Sequence, residues 1–187
     1  MKRALAVIDG LNLHHALMAQ DPKNLRLNLA AVCNMLADQR NCDELKIIYF
    51  TSPVRHLGKS VELAQRHYLE LLELSGVQLR LGEFKASNAT CKKCGSSFRV
   101  HREKQTDVAI ATEMISLALT EQVDEIFLFS ADSDFLPAIK AITNLKSASR
   151  ITVISTVDYL RPLYGNLVRA GAGTLRLSQE FVAKHQF

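Results

Sequence analysis

Four aspartates carry the chemical promise of this sequence. Asp132 and Asp134 stand two residues apart in Ser130-Ala131-Asp132-Ser133-Asp134-Phe135, and Asp9 and Asp107 lie far from them in the chain. Carboxylates that share a site cannot all stay ionised within a few ångströms of one another without a cation. A hard divalent ion with oxygen ligands, Mg²⁺ or Mn²⁺, suits such a set and keeps waters in its remaining positions. Two such ions about 3.5–4 Å apart clamp the attacking and leaving oxygens of a phosphodiester displacement. The bland reading is a helix cap, with Asp134 satisfying free helix amides, which accounts for one aspartate at such a corner. It does not account for the second, whose repulsion must be offset.

Whether these acids meet depends on the elements that carry them. Ile126-Phe127-Leu128-Phe129 is a short apolar run that reads as a buried strand of a parallel sheet, so Asp132 and Asp134 follow its carboxyl end. Open α/β sheets bind ligands in the crevice beyond that end. Ala4-Leu5-Ala6-Val7-Ile8 reads the same way and runs into Asp9-Gly10-Leu11-Asn12, a strand-to-helix turn. Thr106-Asp107 opens a helix predicted to reach about Glu121 through Ile110, Met114 and Ala118. Glu113 lies about 240° around that helix from Asp107, so only its longer side chain makes it a weaker candidate for the site. Further strands are expected at Lys46–Phe50, Val77–Leu81, Arg150–Ile154 and Thr174–Leu177. Helices are expected at about 29–40, 59–74 (with Leu63, Tyr68, Leu71 and Leu72 inward) and from Tyr159 to Ala170, with a helical tail. Strands and helices alternate, which predicts a three-layer α/β/α fold with a mainly parallel central sheet, in one domain spanning residues 1–187.

Residues 83–104 break the rhythm and read as an insertion. They carry Lys85, Lys92, Lys93, Arg99, Arg102 and Lys104 against one acid, Glu103, while the whole chain has a net charge of only +4. Such a patch attracts a polyanion; its plain alternative is a solvated loop. Phe84 and Phe98 flank it and could stack on bases or simply pack. Within it, Cys91-Lys92-Lys93-Cys94-Gly95 supplies half of a tetrahedral zinc site. His101 is the candidate third ligand, with Cys33, Cys42 or His56 as the fourth if the fold brings one near. Redox use of the pair is less convincing, because no helix starts at Cys91 to lower its pKa.

The three segments Val7-Ile8-Asp9-Gly10-Leu11-Asn12, Glu103-Lys104-Gln105-Thr106-Asp107-Val108 and Ser130-Ala131-Asp132-Ser133-Asp134-Phe135 resemble the NYN domain family, also called LabA-like, a branch of the PIN-like nucleases. The resemblance covers nearly the whole chain, and its motifs come in the family's order. It implies a PIN-like fold and metal-dependent cleavage of RNA, with Asp9, Asp107, Asp132 and Asp134 as the acidic cluster. Asn12 matches the family's asparagine, which positions a phosphate or a metal-bound water. Some relatives are similar in carrying a Cys-x-x-Cys insertion before the Lys-x-x-Asp segment. Ala131 departs from the family's usual glycine, a change tolerated unless that residue needs positive φ.

The function expected from these observations is a ribonuclease dependent on Mg²⁺ or Mn²⁺, with RNA as its partner. Lys104, Arg102, Lys92 and Lys93 are the expected phosphate contacts, and Zn²⁺ on Cys91, Cys94 and His101 would be structural. The alternative is an inactive RNA- or protein-binding module of the same fold. A haloacid dehalogenase-like phosphatase is less favoured, since Leu11 stands where that chemistry needs a second acid. No apolar run approaches a membrane span, and Met1-Lys2-Arg3 precedes only five apolar residues. The expectation is therefore a cytoplasmic protein with reduced or metal-bound cysteines, its association with further copies left open.

Overall fold

The computed structural model describes residues 1–120, 122–145, 149–156 and 160–187. In chain order the elements are β1 (Arg3–Asp9), α1 (Gly10–Gln20), α2 (Leu29–Gln39), β2 (Glu44–Thr51), α3 (Lys59–Leu74), β3 (Gln78–Leu81), β4 (Glu83–Thr90), β5 (Ser97–Lys104) and α4 (Thr106–Leu119). There follow β6 (Glu125–Phe129), α5 (Leu136–Asn144), β7 (Arg150–Ser155), α6 (Leu160–Arg169), β8 (Gly173–Arg176) and α7 (Gln179–Lys184). Glu121 and Tyr159, where the sequence reading ended one helix and began another, lie outside the described residues.

Six strands form one sheet in the order β3-β2-β1-β6-β7-β8, and every pairing in it is parallel. Its central strands are apolar at consecutive positions because both faces are covered. Ala4, Ala6 and Ile8 of β1 face one layer, packing with Leu13 and Leu17 of α1, Leu29, Val32 and Leu36 of α2, and Leu72 of α3. Leu5 and Val7 face the other, with Ile110, Met114 and Ala118 of α4 and Ile139 and Ile142 of α5. Each Leu, Ile, Val or Met side chain among these contributes roughly 1.5–3 kcal/mol on leaving water, so the two layers fix the central strands firmly. The result is the expected three-layer α/β/α arrangement.

The strand order places a switch point between β1 and β6. From β1 the chain builds outward through β2 and β3, then returns to build the other half from β6. The helices that follow these two strands pack on opposite faces of the sheet, and the carboxyl end of such a switch point is where these folds bind ligands.

Two expectations change. Residues 83–104 are not a loop: β4 and β5 form an antiparallel hairpin with its own two-stranded sheet, paired from Glu83↔Lys104 to Thr90↔Ser97. None of these residues is buried, so neither face carries the apolar alternation by which a strand is read. On α3 only Leu72 is fully buried, and Leu63 is 50% exposed. That helix lies along the short edge strand β3, which covers less of it than a central strand would.

Candidate active site

Asp9 is the last residue of β1 and the N-cap of α1, and it is buried. Its Oδ1 accepts the N–H of Asn12 at 3.0 Å, and its Oδ2 accepts the hydroxyl of Ser130 at 3.1 Å. Ser130, just past the end of β6, is itself buried and accepts the N–H of Asp132 at 3.2 Å. Asn12 Oδ1 accepts the N–H of Ala131 at 3.0 Å. The two turns at the switch point are thus stitched together by Asn12 and Ser130, with Asp9 held between them. Asn12, expected to position a ligand, fixes the loop through its carbonyl oxygen.

Asp132 caps a short 3-10 turn, Ser133–Phe135, by accepting the N–H of Asp134 at 2.9 Å. The cap expected of Asp134 is thus made by Asp132, while Asp134 is exposed. Asp107 stands in the first turn of α4, also exposed. Ahead of it Gln105 takes φ +77°, a left-handed conformation few non-glycine residues adopt. That kink turns the chain from β5 into α4 and delivers Thr106 and Asp107 to the crevice.

The four aspartates share one electrostatic field. Burial pushes the Asp9 carboxyl from 3.8 up to about 6; the bonds from Asn12 and Ser130 oppose this, and the charges of Asp107 and Glu103 add to it. Asp107 is raised by partial burial and then by Asp132 and Asp134. Asp107 therefore feels both sides of the cluster. Among the described residues, however, no three His, Cys, Asp or Glu side chains stand close enough to enclose an ion.

Glu103, which the sequence presented only as the lone acid of a basic stretch, belongs to this group. Burial raises it, the hydroxyls of Ser52 and Thr106 lower it, and Asp107 raises it again. Its Oε1 and the hydroxyls of Ser52 and Thr106 are buried without a well-formed hydrogen bond. Gly82 packs against the same pocket, where an added Cβ would meet Lys104 O at 2.7 Å and the two hydroxyls at 2.8 Å. The signal available in sequence was Glu103's place four residues before Asp107. Glu113, the weaker candidate, is not part of the site: it pairs with Lys46 at 2.7 Å.

The basic residues divide. Lys104 is exposed beside Asp107 and lines an open hollow of about 560 Å³ with Lys85, Gln105, Val108 and Ala109. Arg102 is exposed on β5 opposite Lys85, while Lys92 and Lys93 stand at the hairpin's far end. Cys91 and Cys94 share that tip, where hydrogen bonds from Ser96 and Cys91 lower the Cys94 thiol to about 7. His101 does not join them. It pairs across from Ala86, four residues and so about 13 Å along an extended strand from Ser97, and stacks on His56 with ring centroids 4.3 Å apart. Cys33 is buried in the core, so it too is excluded as a ligand.

With the geometry in place, comparison with known proteins decides the family: the NYN domain model matches residues 4–163. The chain belongs to the NYN domain family. NYN domains are typically nucleases of the PIN-like fold and typically use divalent metals. A solved protein of unknown function from Vibrio parahaemolyticus is similar over 96% of this chain and 95% of its own, with 16% identity and a TM-score of 0.66. That likeness is one of fold alone, and it covers almost the whole chain. A solved MurG from Acinetobacter baumannii is similar over 94% of this chain and 41% of its own, at 12% identity and a TM-score of 0.42. No curated protein matches. No helix among the described residues is long and apolar enough to cross a membrane.

Proposed function

We propose that this NYN domain hydrolyses RNA phosphodiester bonds at the switch-point crevice with Mg²⁺ or Mn²⁺. The observation that carries this reading is the buried carboxylate of Asp9, driven up to about 6 and facing the charges of Asp107 and Glu103. A buried acid held against like charge costs stability unless a cation joins it. The donor set is all carboxylate oxygen, which suits a hard divalent ion. Because no three of these acids enclose a volume, the fit is to an ion that takes one or two carboxylates and keeps its waters. Asp9 with Asp132 or Asp134 would hold one ion, and Asp107 would hold or orient a second. When bound, the metal supplies an acidified water and a counter-charge for the phosphate.

The chain's own residues do the rest. Ser130 and Asn12 fix the orientation of Asp9 and tie its loop to that of Asp132. Lys104, beside Asp107, contacts the scissile phosphate or its neighbour. Arg102, Lys92 and Lys93 extend the contact to flanking phosphates along the hairpin, which supports positioning rather than sequence choice.

The test is cleavage of a mixed-sequence labelled RNA by the purified chain with Mn²⁺, with Mg²⁺ and with EDTA, beside Asp132→Asn/Asp134→Asn. Cleavage that needs the metal and is lost in the double variant is the expected result. A binding-only reading is favoured by one observation, the unclosed carboxylate set. RNA retention without turnover under either ion would select it.

A further inference from the structure

The tip of the β4–β5 hairpin brings two free cysteines together. Cys91 N–H donates to Ser96 O at 2.8 Å and Gly95 N–H donates to Cys91 O at 2.9 Å, closing a tight turn. Gly95 takes φ +71°, and nothing lies within 4 Å of a Cβ added there, so the glycine serves the backbone angle and not a close approach. The turn brings Cys94 Sγ to 3.0 Å from Ser96 Oγ and into hydrogen-bonding reach of the Cys91 thiol. Two converging thiols from one such turn fill two corners of a tetrahedron, and a structural zinc needs four.

The same chain does not supply the other two. Cys33 is in the core, and Cys42 precedes β2 at the amino ends of the strands, whereas the hairpin leaves from the carboxyl end of β3. His56 and His101 stack on each other far from the tip. Among the described residues no third ligand joins the pair. The tip itself is open: Lys92, Lys93, Cys94 and Gly95 are all exposed at the end of an arm with no buried residue.

We propose that two copies of the chain join arm to arm through one Zn²⁺ held by Cys91 and Cys94 of each. A two-fold axis through the ion makes a complete tetrahedral site from identical halves, which is how self-complementary interfaces form. Each thiol gives its proton to solvent on coordination, leaving four thiolates and Zn²⁺ with two net negative charges. Lys92 and Lys93 of both copies surround that charge. Without the ion the same four ammonium groups repel, so association depends on the metal.

The test uses the whole chain, kept reduced and titrated with Zn²⁺, with mass followed by sedimentation velocity and bound metal by elemental analysis. Expected are about one zinc per two chains, a doubled mass, and return to monomer on chelation. Cys91→Ser/Cys94→Ser, at exposed or half-exposed positions and checked for fold by circular dichroism, stays monomeric and zinc-free. One zinc per chain at monomer mass, a dimer indifferent to chelator or substitution, or a reduced and folded chain that takes no zinc would each overturn the proposal. None of these readouts depends on RNA cleavage.

Discussion

Asp9 is the most confined acid of the site, and pH exposes what that confinement costs. The rise of its carboxyl from 3.8 to about 6 corresponds to about 3 kcal/mol favouring the protonated form in the fold. A group held above its unfolded value binds its proton more tightly when folded, so its contribution is fully present below 3.8 and is lost as pH rises through about 6. Asp107 and Glu103 are displaced in the same direction. The metal-free protein should therefore melt higher at pH 4.5 than at pH 7.5. Asp9→Asn should flatten that difference, and Mn²⁺ at pH 7.5 should restore the melting temperature of the native chain but not of the variant. An unaltered pH profile in Asp9→Asn would remove the buried carboxylate from this account. Glu103 permits a second measurement. If it tunes the cluster from behind, Glu103→Gln should weaken Mn²⁺ binding about 10–100-fold in calorimetry, while Glu113→Gln, which only breaks the pair with Lys46, should leave it unchanged.

The elements explain why the acids converge, and two glycines set how closely. A Cβ on Gly10 would stand 2.6 Å from the Tyr49 ring and 2.8 Å from Phe50 O, so the turn after β1 passes against β2 only without a side chain. Gly82→Ala drives into backbone and the Ser52 and Thr106 hydroxyls in the same way. Both substitutions should cost about 1–3 kcal/mol in chemical denaturation. Gly95→Ala, strained in φ but in open space, should cost about 1 kcal/mol or less. These contrasts also mark what could be read from sequence. β1 and β6 were legible because burial on both faces leaves an uninterrupted apolar run, and their ends located Asp9 and Asp132. The hairpin was not, since strands exposed on both faces need no apolar period. His101 looked near Cys94 because seven residues are few in a loop, but in an extended strand they carry it away. Ser130 gave no signal, because a hydroxyl at a strand end is common and only the parallel register of β1 with β6 aims it at Asp9.

At the scale of the molecule, charge is divided between two parts: an acidic crevice on the sheet and a basic arm whose base rests on His56 through Phe84 and His101 and whose outer end stands clear. If the arm collects RNA and the crevice acts on it, the two functions should separate. The register offers a clean cut, because Ala86 pairs with His101 and an Asn-Gly turn can join them in place of residues 87–100. Nothing in that segment is buried, so the shortened chain should unfold within a few degrees of the native one. It would lose Lys92, Lys93 and Arg99 but keep Arg102 and Lys104. Each phosphate contact released adds roughly 0.7–0.9 to the slope of log affinity against log salt. RNA binding by the shortened chain should thus be weaker at low salt and fall less steeply as salt rises, with metal-dependent cleavage of saturating RNA retained. An unchanged salt slope would place the RNA elsewhere on the molecule. Loss of cleavage at saturation would mean that the arm shapes the crevice as well as filling it, through the Gln105 kink that links β5 to Asp107.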